Sequence, residues 1–370
     1  MKKILTLLLL FSMVLSFAQV ANRKTITTAS IPIGYYNSAT GTGYTLKTQL
    51  YNIIKGHNDR GYSGLYTTYS TSDKDFYYEN DGTMLDNYTE NPSGAECEFT
   101  YGINQDDGTL GNNECERYNR EHLIPQSVFG SVTPMYSDAH FVLPSDKHVN
   151  AQRGDLPFGV VNVANWTSLN GTKRGSNLNS GYSEGYSGIV FEPIDEFKGD
   201  IARCLLYFST RYEDVVAGYT YPMFNNTSNQ VFNQTFLNIL LTWNAQDPVS
   251  PREIARNNAI YARQNNRNPY IDDNTYVFRV WGAPLATSSF DIATAVSIYP
   301  NPTNNHTMTI NCQNNLEAIQ LINSNGQILQ HIQKPVFENN TFTLENLPQG
   351  FYFLKLTSNN QSVTKKVLVN

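Results

Sequence analysis

The chain has 370 residues, 40% of them hydrophobic, so it is long for one ordinary domain and comfortable for two with real cores. Lys and Arg number 26 against 32 Asp and Glu, a net charge of −6, which excludes a protein held on nucleic acid mainly by a basic, phosphate-neutralising coat. A local positive site with fast release stays compatible with that balance, and the many Tyr, Asn, Ser and Gly suit an uncharged polar, extracellular surface.

Lys2 and Lys3 begin the chain, Ile4 to Phe17 is apolar, and Ser16-Phe17-Ala18 ends the run on a small residue. This pattern predicts a secretory signal peptide over 1–18. A short membrane anchor is the competing reading, but the run falls below the ~20 residues of a spanning helix. No later segment reads as a membrane span. Leu46, Leu50, Ile53 and Ile54 recur at helical spacing up to Gly56. Tyr66 to Tyr88, rich in Tyr, Asp and Thr, reads as loops and short strands. Export permits disulfides. Cys97 and Cys115, in a Gly/Asn-rich stretch, are the natural pair, and the bridge is worth about 3 kcal/mol in the chain-entropy model. Cys204 reads as core and Cys312 belongs to a separate C-terminal region.

The polar chemistry is concentrated between Cys115 and Gly159. It runs through Asn119-Arg120-Glu121-His122-Leu123-Ile124-Pro125-Gln126-Ser127, Ser137-Asp138-Ala139-His140 and His148-Val149-Asn150-Ala151-Gln152-Arg153-Gly154-Asp155. A solvated loop is the bland interpretation. Local geometry favours more: Ser145 as N-cap and Gly154 as stop predict a short helix on which Asp146, Val149, Asn150 and Arg153 share a face. An amide oxygen and a carboxylate (Asn150, Glu121) are what Mg²⁺ accepts. His122 is a neutral base near pH 7, so activity is expected to rise through roughly pH 6 to 7. Neighbouring residues on a strand face opposite ways, so Glu121 and His122 serve one site only if the backbone bends or water links them.

Two helices follow, one with Ile201, Cys204, Leu205 and Phe208 in a stripe, the other with Phe232, Phe236, Ile239, Leu240 and Trp243. Ser250-Pro251-Arg252-Glu253 combines N-cap, Pro at the first helical position and a capping-box Glu, starting a helix that runs to about Gln264. Arg203 and Arg256 read as salt-bridge partners, Asn266 to Asp272 as a structural turn, His148 as solvent-facing, and His57, His306 and His331 as surface residues. The fold class is therefore α+β: a mixed, helix-rich domain over 19–281, a small polar linker over 282–295, and an all-β sandwich over 296–370, with short strands between Asn/Gly turns.

The central motifs, with Pro157-Phe158-Gly159, Phe197-Lys198-Gly199-Asp200-Ile201-Ala202-Arg203 and Gln264-Asn265-Asn266-Arg267-Asn268-Pro269-Tyr270-Ile271-Asp272, make this domain similar to the endonuclease I family of secreted and periplasmic bacterial nucleases. The resemblance implies a ββα-metal core in which His122 is the general base and Glu121 and Asn150 hold one Mg²⁺, for which Ca²⁺ or Mn²⁺ can substitute. It implies a phosphate-clamping arginine, for which Arg153, Arg120 and Arg117 are candidates in that order, with His140 a weaker candidate near metal or substrate. Asp155, where an Asn is common, and Tyr270, where a Phe is, depart from the pattern. The expected activity is endonucleolytic cleavage of DNA, with RNA a second substrate, with little sequence preference and 5′-phosphate products. Two other readings compete: a surface adhesion or binding protein with an inactive nuclease-like domain, and a phosphodiesterase of small nucleotides.

The tail carries Ile298-Tyr299-Pro300-Asn301-Pro302, Leu347-Pro348-Gln349-Gly350-Phe351-Tyr352 and Lys365-Lys366-Val367-Leu368-Val369. In that order they resemble the C-terminal sorting domain of the type IX secretion route, against an ordinary carbohydrate- or protein-binding sandwich. The resemblance implies a protein released outside the cell or attached to its surface through that machinery. A monomer is expected.

Overall fold

The computed structural model describes residues 31–282, 296–312, 316–323, 325–358 and 361–370. The expected signal peptide over 1–18 and nearly all of the expected linker over 282–295 lie outside the described residues. The chain divides into two compact units, Met1–Leu285 and Ala286–Asn370.

The first unit is mixed helix and sheet. Helix α1 (Gly43–Ile54) buries Leu46, Leu50 and Ile54 along one face. Helix α2 (Gly64–Ser72) occupies a stretch expected as loops and strands. Its Ser and Thr residues have weak helix propensity, but burial of Leu65, Tyr66 and Tyr69 overrides it. The hydroxyls of Thr68 and Ser72 turn back onto the carbonyls of Gly64 and Thr68.

Strand β1 (Tyr118–His122), the short helix α3 (Gln126–Phe129), strand β2 (Val142–Asp146) and helix α4 (Lys147–Arg153) follow. β1 and β2 pair antiparallel without a shift, from Tyr118 opposite Asp146 to His122 opposite Val142. α4 packs on both, giving the expected ββα unit. A second antiparallel sheet is built of β3 (Val161–Thr167), β4 (Lys173–Asn177) and β5 (Ile189–Glu192). β3 was not anticipated from the sequence, and it lies mostly exposed with no buried alternate face.

Helix α5 (Lys198–Arg211) is buried along its whole length at the centre of the unit. It packs on α6 (Gln234–Gln246) and α1. Phe232 is buried but precedes α6, whose cap is Asn233. Helix α7 (Pro251–Gln264) starts with the expected capping box of Ser250 and Glu253. Helices α8 (Pro269–Asp272) and α9 (Thr275–Trp281) complete the unit.

Charges buried with α5 are paired, as burial demands. Arg203 bonds Glu253, Asp200 and the Asp247 carbonyl, Arg252 bonds Asp200, and Arg256 bonds Asp73. Gly199 permits the close approach of Asp247: a Cβ there would stand 2.1 Å from the Asp247 carbonyl oxygen. Arg267 grips Asp272 through two bonds of 2.6 and 2.7 Å, so Asn266 to Asp272 is structural as expected, although its second half is the helix α8 and not a turn.

The second unit is all-β. One sheet has the order β10-β7-β6 and the other β12-β11-β8-β9, from β6 (Val296–Tyr299), β7 (Met308–Cys312), β8 (Ala318–Asn323), β9 (Ile328–Gln333), β10 (Thr341–Leu344), β11 (Gly350–Ser358) and β12 (Gln361–Val369). Met308, Ile310 and Leu344 of one sheet and Leu321, Leu354 and Val367 of the other share a single core, the layout of a sandwich. Among the described residues no helix is long and apolar enough to cross a membrane.

Candidate active site

The ββα unit borders an open cleft of about 390 Å³. Asn119, Arg120, Glu121 and His122 of β1 line it, with Asn150 and Arg153 of α4, Tyr62, Lys147 and Asp155. Helix α4 is short and depends on its ends. Its cap is Asp146, not Ser145 as expected: the Asp146 carboxylate accepts the Val149 N–H at 2.9 Å and, on its other oxygen, the Cys115 N–H at 2.7 Å. Ser145 stays in β2, where it pairs with Asn119 of β1. Gly154 ends α4 at φ 53°, a conformation open to glycine. The Cys97–Cys115 disulfide forms as expected and ties this corner to the preceding loop.

No bend brings Glu121 and His122 together, since the β1 ladder is regular through both. Both line the cleft nonetheless. Glu121 lies on the side of Tyr88 and Arg153, and His122 packs against Tyr136, Tyr62 and Phe129.

Glu121 is 3% exposed. Its Oε1 accepts the Tyr88 hydroxyl at 2.8 Å and Arg153 Nη1 at 3.0 Å, while Oε2 accepts none of the described bonds. Burial raises this carboxyl, and Arg153 and Tyr88 oppose the rise. Asn150 donates Nδ2 to Asn119 Oδ1 at 2.8 Å and more weakly to the Arg120 carbonyl, which leaves Oδ1 as a free acceptor. Two hard oxygens on one cleft are a donor set that fits Mg²⁺ with water completing the shell.

His122 Nε2 lies 3.2 Å from the Tyr136 carbonyl, a contact that makes Nε2 the donor and Nδ1 the acceptor in the neutral ring. Burial lowers its pKa to about 4, against the smaller raising effect of that carbonyl. The ring is therefore neutral throughout pH 6 to 7, and the titration expected there is displaced towards acid.

Arg153 corrects the ranking of the arginines. It is 1% exposed and all five of its N–H donors are occupied, by the carbonyls of Leu156, His122 and Leu123, the Glu121 carboxylate and the Tyr221 hydroxyl. No donor is left for phosphate, and Arg153 positions Glu121. Arg120 borders the cleft half-buried, stacked 3.5 Å over Tyr62 and 4.3 Å over Tyr66, with one hydrogen bond to the Tyr62 carbonyl. Arg117 is not among the cleft residues and faces Asp107 and the Glu116 carbonyl.

His140 is likewise away from the cleft. It is buried against Tyr207, with Nε2 3.1 Å from the Asn266 carbonyl. Asp138 beside it accepts Tyr207, Tyr212 and Gln264, so the Ser137 to His140 segment anchors β2 to α5 and α7. His57 is half-buried and accepts from Arg211 Nε, where a surface residue was expected; His306 and His331 are exposed as expected. His148 is half-buried beside Trp166.

Sequence reasoning gave Asn119 no role, though it lies two residues before Glu121 on the same strand face, a usable signal. Tyr88 and Tyr221 carried no signal, because segments far along the chain bring them to the site, and Tyr136, only 14 residues from His122, was not singled out.

The pattern described as Endonuclease I matches residues 42–275, and that of a secretion system C-terminal sorting domain matches 297–370. The extracellular ribonuclease of Bacillus amyloliquefaciens is 33% identical over 255 residues, covering 67% of this chain and 78% of that one. The extracellular ribonuclease of Bacillus subtilis (strain 168) is 33% identical over 252 residues with the same coverage. PorZ, a surface component of the type IX secretion system of Porphyromonas gingivalis, aligns at 15% identity over 25% of this chain and 13% of its own with a TM-score of 0.19, which carries no argument. The first unit is thus a nuclease domain and the second a type IX sorting domain, of a protein secreted or attached at the cell surface, and the chain belongs to the endonuclease I family.

Proposed function

We propose that the nuclease domain is a metal-dependent endonuclease that cleaves DNA and RNA internally, with little sequence preference, leaving 5′-phosphates. The supporting observation is the convergence on one cleft of a neutral histidine held by a carbonyl and two oxygens without described hydrogen bonds, on Glu121 and Asn150. The names of the two Bacillus relatives support RNA as a substrate beside DNA.

His122 donates Nε2–H to Tyr136 and takes a proton from water at Nδ1. Tyr136, stacked on it at an interplanar angle of 11°, fixes the ring. Glu121 and Asn150 would hold Mg²⁺, which when bound supplies charge neutralisation at the scissile phosphate and at the leaving 3′ oxygen. Arg153 and Tyr88 orient Glu121, and Asn119 turns the Asn150 amide so that its oxygen is the free atom. Arg120, which lines the cleft and spends one hydrogen bond on the Tyr62 carbonyl, is the arginine proposed to contact phosphate. Backbone contacts of this kind carry no sequence information, which suits a weakly specific enzyme.

Cleavage of supercoiled plasmid and of a long RNA by the secreted chain, with Mg²⁺ or excess chelator, tests the proposal. Internal cutting of both, lost with chelator and reduced roughly 10²–10⁴-fold in His122→Ala, is expected. Activity only on dinucleotides would make it a small-nucleotide phosphodiesterase, and inert wild-type protein would favour the binding or adhesion reading.

A further inference from the structure

Away from the cleft, Asp75, Glu79 and Glu90 bring one carboxylate oxygen each to within 4.8 Å of one another. Two oxygens on opposite sides of a Ca²⁺ ion, with bonds of about 2.4 Å, are that far apart. Two of them, Asp75 and Glu79, belong to one loop and Glu90 to the next turn. Asp75 is buried in a loop closed by the Lys74–Met84 bridge, and its oxygens accept the N–H groups of Tyr77, Tyr78 and Asn80, which fixes the carboxylate. Glu79 is the exposed tip of the same loop.

Glu90 is the decisive member. It is 1% exposed, and the one side chain that meets its carboxylate oxygens is another carboxyl, that of Glu96, which can donate only when protonated. A buried carboxylate without a donor costs several kcal/mol unless something positive meets it. No Lys or Arg makes an ion pair with Asp75, Glu79 or Glu90 among the described residues. Glu96, half-buried next to the disulfide, adds a fourth carboxyl beside Glu90.

We infer that Asp75, Glu79 and Glu90, with Glu96 beside them, form a structural Ca²⁺ site distinct from the cleft. Oxygen-only donors, an exposed edge where water completes six to eight ligands, and high negative charge suit Ca²⁺. Its affinity belongs in the ~10⁻⁴–10⁻³ M range of extracellular modules. The ion would pin the 75–83 loop to the turn that carries Tyr88, whose hydroxyl holds Glu121, and, through Glu96, to the segment leading to Cys97. The competing account of the same cluster is a proton shared by Glu90 and Glu96.

Thermal unfolding of the full chain, stripped with chelator and then titrated with CaCl₂ to ~10 mM at pH 7.5, decides between them. The wild type is expected to gain roughly 5–10 °C near saturation. Glu90→Gln, which imitates the protonated acid, is expected to fold and to lose the larger part of that gain, keeping only what Ca²⁺ in the cleft contributes. Glu79→Gln, at a surface position that cannot unsettle the core, is expected to need about 10-fold more Ca²⁺ for half the effect. Asn150→Ala, in the cleft, is expected to keep that larger part. An absent gain in the wild type, or a gain lost in Asn150→Ala and kept in Glu90→Gln and Glu79→Gln, or an equal gain in all four proteins, overturns the site.

Discussion

Arg120 and Arg153 both border the cleft, and their donors separate their roles. Arg153 spends all five on the protein itself, holding Glu121 and the carbonyls of His122, Leu123 and Leu156. Arg153→Met is expected to cost about 3–5 kcal/mol of stability, because it strands a buried carboxylate and three carbonyls. Arg120→Ala is expected to leave the fold intact and lower kcat/KM about 10²-fold. Denaturant unfolding beside steady-state cleavage separates the two; equal stability losses in both variants would contradict the assignment. His140 makes a pH prediction. Burial lowers it to about 4 from an ordinary 6.5, against Asp138, while Arg256 and His57 add to the lowering. Between those values the unfolded chain binds the extra proton, so the stability that neutral burial contributes is full above pH 6.5 and is lost as pH falls towards 4. From pH 7 to 4.5 the wild type should lose about 2–3 kcal/mol more than His140→Gln, which can still donate to Asn266. Parallel stability curves for the two proteins would show that His140 is not titrating there.

At the scale of the element, α4 carries Asn150 on only seven residues and is too short to hold itself. Asp146 does two jobs for it, capping Val149 and bonding the backbone of Cys115. Asp146→Ala should therefore cost more than an ordinary cap, about 2–3 kcal/mol. Removing the disulfide with Cys97→Ala and Cys115→Ala should cost about 3 kcal/mol by freeing its loop. Because Cys115 belongs to both features, the combined variant should fall short of the sum. Strict additivity in urea unfolding would show that disulfide and cap are independent.

The two units each carry their own hydrophobic core. Deleting 296–370 is therefore expected to leave the unfolding temperature and cleavage rate of the nuclease domain nearly unchanged while stopping export. Fractionating cells and assaying medium and lysate checks both halves of this expectation. Activity of the deleted protein in the medium would contradict the sorting role. At this scale the net charge of −6 goes with a lack of basic surface: several basic side chains, among them Lys47, Arg203, Arg252 and Arg256, are buried in ion pairs and offer nucleic acid no surface field.

Local signals in the chain were enough for the features that are local. The capping box at Ser250, the stripe of α5, the stop at Gly154, the Cys97–Cys115 bridge and the strands of the tail all depend on residues near one another. The motifs of the central stretch likewise singled out Arg120, Glu121, His122 and Asn150, whereas Asn119 gained a role only from its bond to Asn150 across the fold. Tertiary structure decided what depends on partners far along the chain. Arg153 could be read as a phosphate ligand until Tyr221 and three carbonyls took its donors, and His140 as a site residue until Tyr207 and Asn266 buried it. Helix α2 exists because Leu65, Tyr66 and Tyr69 find a core to enter, a gain that its Ser- and Thr-rich sequence does not display. A side chain's type sets which bonds it can make; the fold alone determines which of them are already made.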